Sequence, residues 1–280
     1  MNILETIVEH KKSEIEFRKS RFPEPLLKRE AFYSRQTFSL KSFLMDSSRT
    51  GIIAEFKRKS PSKGVINEQA DLLSVTAAYS KHGASGLSIL TDEIFFGGNS
   101  DDIREARSNP LPILRKDFII DEYQVHESKA IGADLILLIA ACLSPDQVRQ
   151  FAGLARSIGL ETLLEIHNKE ELSHICEEVD LIGVNNRDLR TFSVDINQAI
   201  ELASFCPKEK LLIAESGIND IENIRNLKNH GFSGFLIGEH FMKEPDPAIA
   251  FARFVNQLNK DPYAGKSLRH DATRSGQETG

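Results

Sequence analysis

Cysteine is scarce in this chain, and its three cysteines are widely separated. Cys142, Cys176 and Cys206 are too few for a disulfide framework, and no two of them lie at the spacing of metal ligands. This usage fits a reducing compartment, in which each cysteine is expected to be a small buried hydrophobic residue. We therefore expect a cytoplasmic protein.

Long apolar stretches are also missing. No apolar run approaches the length needed to cross a bilayer, and residues 1–20 lack the apolar core of a secretory signal. The formal net charge is -6, and basic clusters such as 57–59 are short. This mild excess of acid argues against nucleic acid and against a membrane surface as the main partner.

Several familiar functional motifs are absent. The chain has no Walker A sequence, no G-x-G-x-x-G turn after its first apolar run and no nucleophile elbow. His167 has no second histidine or carboxylate at ligand spacing, so we expect neither a metal nor a cofactor. The other histidines considered are expected to lie at the surface or to have satisfied partners: His126, His174, His230 and His240.

Eight short apolar runs alternate with amphipathic stretches from residue 52 onward. This alternation is typical of an α/β protein with a (β/α)8 barrel. A doubly wound open sheet is the alternative, but it usually has fewer strands and often a glycine-rich first turn. The predicted strands cover 52–57, 86–91, 112–118, 135–140, 161–166, 181–186, 211–216 and 234–239. Helical stretches cover 69–82, 122–131, 144–157, 169–178, 218–229 and 247–259.

The predicted barrel leaves a leader and a tail. Residues 1–50 contain an amphipathic helix over 2–21 and a short helix over 37–44, but too few apolar residues for a separate domain. We expect this leader to cover one end of a catalytic barrel formed by 51–260. The polar segment 261–280 is expected to be disordered or loosely held.

Charged residues stand at the ends of the predicted strands. Side chains alternate along a strand, so Glu55 and Lys57 share a face with Ile53. An acid and a base on one face of a core strand are costly unless they are paired or partly hydrated. This strand alone leaves both a structural ion pair and a functional pair open.

The same parity applies to three later strands. Their charged ends share faces with aliphatic residues that would fill a barrel, and odd-numbered strands contribute to common layers in this fold. Several glutamates and lysines meeting at the carboxyl end of a barrel favour a catalytic site. Lys116 shares its face with Leu114 and Phe118, Glu165 with Leu163, and Glu215 with Ile213. Glu55 or Lys57 of the first strand would join them. The sixth strand ends in Asn185, Asn186, Arg187 and Asp188.

Glycines after the last two strands suggest a phosphate site. Gly217 and Gly238 leave backbone N–H groups open near predicted helix starts, where anions bind well. Barrels of this class hold phosphate at this position. Ser216 lies beside the first glycine, and Lys57 is expected to add a positive charge. The alternative is that both glycines only make tight turns.

Motifs in order along the chain resemble indole-3-glycerol phosphate synthases of tryptophan biosynthesis. The resemblance extends to about residue 259. It rests on AEFKRKSPSKG (54–64), LSILTDEIFFGG (87–98), ILRKDFIIDEYQV (113–125), LLEIHN (163–168), GVNNRDL (183–189), IAESGI (213–218) and LIGEHFM (236–242). It implies conversion of 1-(2-carboxyphenylamino)-1-deoxyribulose 5-phosphate to indole-3-glycerol phosphate, with loss of carbon dioxide and water and without a cofactor.

The resemblance also implies roles for residues. Lys116 would protonate the substrate carbonyl, and Glu165 would orient that carbonyl and assist dehydration. Glu55, Lys57 and Asn185 would also take part in catalysis. The expected substrate-binding residues are Ser60, Phe96, Phe118, Leu137, Ile139, Asn185, Arg187 and Glu215. The expected phosphate-binding residues are Lys57, Ser216, Gly217, Gly238 and Glu239, the last two through backbone N–H groups.

Two other functions remain as alternatives. One is the phosphate-binding isomerase that acts one step earlier, but that family is expected to use a cysteine on its first strand, where this chain carries Glu55 and Lys57. The other is a catalytically silent barrel that binds a phosphorylated ligand or a protein. We expect a monomer, and we expect neighbouring lysines to lower each other's pKa.

Overall fold

Eight parallel strands close into a barrel. The computed structural model describes residues 3–187 and 194–260, and each strand pairs in parallel with its neighbours until β1 meets β8. The (β/α)8 prediction is confirmed. The strands are β1 Ile52–Phe56, β2 Gly86–Leu90, β3 Ile113–Lys116, β4 Leu135–Ile139, β5 Glu161–Ile166, β6 Leu181–Asn185, β7 Leu211–Glu215 and β8 Phe232–Ile237.

Helices precede the barrel and connect its strands. Several begin with a side chain that accepts a hydrogen bond from the first turn, such as Asp71, Ser144 and Asp220. The helices are α1 Ile3–Arg21, α2 Glu24–Leu27, α3 Leu40–Met45, α4 Leu72–Lys81, α5 Glu93–Phe96, α6 Ser100–Ala106, α7 Glu122–Ile131, α8 Pro145–Ser157, α9 Ile196–Ala203, α10 Ile221–Asn229, α11 Glu239–Met242 and α12 Pro247–Lys260. None of the helices in the described ranges is both long and apolar enough to cross a membrane.

The helix predicted over 169–178 is wrong in extent. Only a short 3-10 helix forms, Glu170–His174. The Ile175 N–H donates to Leu172 O, while Glu171 O is 3.2 Å from Nδ1 of His174. The side chain of His174 therefore takes the carbonyl that an α-helix would use for Ile175.

Aliphatic side chains fill the barrel interior. Ile53, Leu114, Leu163 and Ile213 belong to one buried cluster, so the face alternation predicted from the sequence is confirmed. A second and larger apolar layer separates the strands from the helices. The charged side chains at the carboxyl ends of the strands therefore rest on this packed aliphatic layer inside the barrel.

The leader reaches both ends of the barrel, one more than the sequence predicts. Ile3, Leu4 and Ile7 of α1 line a cavity at the carboxyl end of the strands. Leu40 of α3 is fully buried at the opposite end, and Glu161 at the start of β5 accepts from its N–H at 2.8 Å. Short apolar segments at both ends of the leader explain this arrangement. The segment 261–280 lies outside the described residues.

A buried lysine joins α1 to the barrel. Lys11 is 1% exposed, and its Nζ lies 2.9 Å from Glu14, 3.0 Å from Asp92 and 3.0 Å from Asp117. Asp92 also caps α5 by accepting from the Phe95 N–H. The leader is thus tied by charge to two barrel loops.

Candidate active site

A lysine and two glutamates meet where β3, β5 and β7 end. Nζ of Lys116 lies 2.9 Å from Oε2 of Glu165 and 3.5 Å from Oε2 of Glu215. Both carboxylates are buried, whereas the lysine retains partial access to solvent. Gly183 makes room for this cluster, because a Cβ at that position would collide with the Glu215 carboxylate.

A second ion pair stands at the end of β1. Nζ of Lys57 lies 2.7 Å from Oε1 of Glu55, and the other carboxylate oxygen accepts from Ser88 Oγ at 3.4 Å. Glu55 packs against Gly238, where a Cβ would be too close to the carboxylate. This pair therefore lies against the loop after β8, and the charge of Glu55 also acts on Lys116.

Side chains from the end of β6 hold this arrangement in place. Asn185 donates through Nδ2 to Oε1 of Glu165 at 3.0 Å. Its own Oδ1 accepts from the Arg187 N–H, and the Arg187 guanidinium reaches Glu239 at 3.3 Å. Asp188, named with this strand end from the sequence, lies outside the described residues.

Opposite charges shift the pKa values of the cluster. Burial alone would lower the pKa of Lys116, but the carboxylates of Glu165, Glu215 and Glu55 outweigh it and raise that pKa above its ordinary value. Burial would raise the pKa of Glu165, but Lys116 and His167 hold it well below its ordinary value. Burial and the neighbouring Glu165 charge raise the pKa of Glu215.

These shifts correct one prediction. Neighbouring lysines were expected to lower each other's pKa, but the pKa of Lys116 is raised, because carboxylates from three strands face it. Lys116 is therefore an ammonium ion at neutral pH. Glu165 is a carboxylate, and Glu215 takes up a proton more readily than an ordinary glutamate.

The loop after β7 has the shape of an anion cradle. Ser216 and Gly217 have φ of 65° and 72°, and Ser216 is the one non-glycine residue with positive φ in the described ranges. Asn186 holds this turn by donating to Ser216 O at 2.6 Å. Ser216 and Gly217 both line the cavity described below, so this turn brings backbone N–H groups to its surface. A side chain on Gly217 would collide with Val194.

Apolar side chains form the other wall. The rings of Phe96 and Phe118 lie with centroids 6.0 Å apart. Leu137 and Ile139 of β4 extend this wall, and Ile7 of α1 closes it from above. The result is a surface suited to an aromatic ring beside the charged cluster.

One cavity of about 300 Å³ joins these parts. Its lining includes every site residue predicted from the sequence: Glu55, Lys57, Ser60, Phe96, Lys116, Phe118, Leu137, Ile139, Glu165, Asn185, Arg187, Glu215, Ser216, Gly217, Gly238 and Glu239. An acid–base cluster, an apolar wall and an anion cradle therefore face a shared volume large enough for a small phosphorylated molecule.

Sequence reasoning missed two contributions. His167 was set aside, yet its Nε2 lies 3.2 Å from Oε1 of Glu165. The signal was available, because residues two apart on a strand end share a face. Ile3, Leu4 and Ile7 also contribute to the lining; the sequence indicates that their helix packs on the barrel but not which of its side chains reach the cavity.

Comparison with known proteins agrees with this geometry. A family model described as indole-3-glycerol phosphate synthase matches residues 4–254. An indole-3-glycerol phosphate synthase of Bacteroides thetaiotaomicron is 46% identical over 260 residues, which is 92% of this chain and 99% of the relative. A synthase of the same name from Thermoanaerobacter pseudethanolicus is 42% identical over 257 residues, covering 91% of this chain and 98% of the relative.

Solved structures support the fold. The tryptophan synthase α2β2 complex of Pyrococcus furiosus contains a chain that matches with a TM-score of 0.55 at 16% identity, covering 75% of this chain and 98% of that one. The tryptophan synthase alpha subunit of Legionella pneumophila matches with a TM-score of 0.56 at 14% identity, covering 77% and 95%. Together with the family match, the site geometry leads to one conclusion: this chain belongs to the indole-3-glycerol phosphate synthase family, the decarboxylating lyases of tryptophan biosynthesis.

Proposed function

We propose that this chain closes the indole ring of 1-(2-carboxyphenylamino)-1-deoxyribulose 5-phosphate, using Lys116 as the acid at the substrate carbonyl. The observation that carries the proposal is the position of Lys116. Its ammonium group lies between Glu165 and Glu215, at the meeting point of the apolar wall and the anion cradle.

The substrate has three parts that match three parts of the cavity. Its phosphate suits the Ser216–Gly217 turn and the backbone at Gly238, with Lys57 as a nearby positive charge. Its carboxyphenyl ring suits the apolar wall, with Ser60 near the carboxylate-bearing portion. The remaining polar residues, Asn185, Arg187 and Glu215, orient the sugar hydroxyls and the carboxylate.

Phosphate binding at Gly238 and Glu239 uses backbone N–H groups. Gly238 is the N-cap position of α11, so its neighbourhood offers donors without intrahelical partners. The Glu239 side chain is paired with Arg187 and lies 3.6 Å from Lys63. These cations hold the glutamate charge away from the phosphate.

Ring closure forms a bond between the ring carbon that carries the carboxylate and the carbonyl carbon of the sugar chain. The carbonyl oxygen gains negative charge as this bond forms, and the Lys116 ammonium supplies the proton. An alkoxide is a much stronger base than an amine, so the raised pKa of Lys116 does not prevent this transfer. Loss of carbon dioxide then restores the aromatic ring.

Dehydration needs an acid for the departing hydroxyl group and a base for a proton on the adjacent carbon. Glu165 is kept ionised by its cationic neighbours, which suits the base role. The Lys57–Glu55 pair supplies the second ammonium group of the site and neutralises charge near the phosphate. Carbon dioxide and water leave, so one substrate gives one indole-3-glycerol phosphate without a redox step.

The setting of the enzyme is part of the proposal. We take residues 1–50 as a helical extension, 51–260 as the catalytic barrel and 261–280 as a tail without a catalytic role. A cytoplasmic monomer that does not bind nucleic acid suits the net charge of -6 and the free cysteines.

The test is a conversion assay on the full chain. Purified protein is mixed with the carboxyphenylamino substrate, indole fluorescence is followed, and released carbon dioxide is measured in the same sample. We expect one carbon dioxide for each indole product, and loss of both signals in Lys116→Met. Tight substrate binding without product would instead support a silent barrel.

A further inference from the structure

His167 lies behind the catalytic cluster, outside the lining of the cavity. It follows β5 directly and shares a face with Glu165, two residues earlier. Its Nε2 lies 3.2 Å from Oε1 of Glu165, and its Nδ1 lies 3.4 Å from Oε2 of Glu171. The imidazole is 10% exposed, so two carboxylates enclose it with little access to water.

We propose that His167 is a positioning residue, an imidazolium that keeps Glu165 ionised and oriented after Lys116 has given its proton to the substrate. The inference deepens the proposed function and rests on it. His167 acts through Glu165 and does not touch the substrate cavity.

The two carboxylate oxygens of Glu165 contact different partners. Its Oε2 faces Lys116 at 2.9 Å, while its Oε1 faces Asn185 at 3.0 Å and His167 at 3.2 Å. When Lys116 becomes a neutral amine, Oε2 loses its counter-charge inside a buried site. An unpaired buried carboxylate is costly and tends to take up a proton. Asn185 offers only a dipole, so His167 supplies the positive charge that remains.

The surroundings of His167 favour its charged form. Burial alone would lower the pKa of His167, but its contacts with Glu165 and Glu171 outweigh burial and raise the pKa to about 10. Glu171 is held in place because its carboxylate accepts from the backbone N–H of His167 at 2.7 Å and from Asn168 Nδ2 at 3.0 Å.

Other elements packed here do not oppose this charge. Cys142, in the 3-10 helix after β4, has its pKa raised to about 12 by burial and by Glu165 and Glu171, so it stays a neutral thiol. The ring nitrogens of His174 lie 3.2 Å from Glu171 O and 2.9 Å from Leu143 O, so they face backbone carbonyls. Lys116 of β3 and Asn185 of β6 approach the same glutamate from the cavity side.

The pH dependence of kcat, which reports on the enzyme–substrate complex, tests the inference. His167→Gln removes the charge, so the pKa of Glu165 rises and the acid limb of the profile moves up by about one to three pH units. We expect kcat to fall about tenfold or more with KM changed much less, because the carboxylate is misplaced in the reacting complex. His167→Lys restores a cation and moves the acid limb back towards wild type.

A matched control comes from the same segment. His174→Gln perturbs the same 3-10 helix without reaching Glu165, so its acid limb should match the wild type. Normal wild-type turnover with an unshifted acid limb in His167→Gln would overturn this inference alone. A wild-type protein without turnover would overturn the proposed function, and the positioning role of His167 with it.

A direct titration gives a readout independent of turnover. The imidazole nitrogens of His167 are followed by nuclear magnetic resonance in wild type and in Glu165→Gln. We expect titration near pH 10 in wild type and at least about one pH unit lower in the variant. Titration at the ordinary value of 6.5 in both proteins would overturn the inference.

Discussion

Replacing Lys11 by methionine removes a buried charge and keeps most of the side-chain volume. Lys11 Nζ lies within 3.0 Å of carboxylate oxygens on Glu14, Asp92 and Asp117. Asp117 keeps Arg115 as a partner at 3.0 Å, but within residues 3–187 and 194–260 Lys11 is the one cation at ion-pair distance from Asp92. The variant therefore leaves buried negative charge poorly compensated at the junction of leader and barrel.

The magnitude follows from burial. Removing one partner of a buried ion pair costs about 3–5 kcal/mol, whereas an exposed pair contributes about 0–1 kcal/mol. At about 2–4 °C per kcal/mol for a chain of this size, Lys11→Met should lower Tm by about 6–20 °C. Lys12 is the matched control, because it pairs with Glu9 at 3.1 Å on the exposed side of the same helix.

Denaturant unfolding of Lys11→Met and Lys12→Met beside wild type gives the two free energies. We also expect a higher KM in Lys11→Met, because Asp92 caps the helix that carries Phe96. Equal stabilities of the two variants, within about 1 kcal/mol, would refute the idea that Lys11 fastens the leader to the barrel.

Three further predictions concern the site. Glu165→Gln should lower kcat by about 10²–10⁴-fold while substrate binding changes little, and a change confined to KM in steady-state kinetics would contradict the base role. Gly217→Ala should raise KM about tenfold or more, because a Cβ there collides with Val194 at φ 72°; Gly231→Ala, at φ 91° with open space around it, is the control for backbone strain alone. The pKa of folded His167 lies above 6.5, so its contribution to stability is complete below about pH 6.5 and is lost as pH rises towards about 10. The free energy of unfolding, relative to His167→Gln, should then fall by up to about 1.4 kcal/mol per pH unit between pH 7 and 10, and parallel curves for the two proteins would contradict it.

Strand positions and inward faces follow from the sequence because they depend on local alternation. The run 161–166 is predicted as a strand and observed as Glu161–Ile166. Leu163 and Glu165 share its inner face, so the hydrocarbon layer and the charged layer above it could be assigned before any contact was known. The convergence of Lys116 with Glu165 then follows from the closure of the barrel.

Other features depend on contacts between distant segments. The pKa of Lys116 is raised by glutamates from three strands. Their combined effect depends on their distances in the folded barrel, which no single stretch of sequence gives. The docking of Lys11 depends on its ion pairs with Asp92 and Asp117. Asp117 lies about a hundred residues further along the chain than Lys11. The helix predicted over 169–178 is replaced by the 3-10 helix Glu170–His174, in which the His174 ring contacts the backbone oxygens of Glu171 and Leu143.

The role of Lys116 is tested most directly by measuring turnover and substrate affinity in the same preparation of Lys116→Met. The account predicts a kcat lower by about 10²–10⁴-fold, with a substrate Kd within a few-fold of wild type, because the variant loses the proton donor but keeps the apolar wall and the anion cradle. A folded Lys116→Met protein that turns over substrate at nearly the wild-type rate would contradict it.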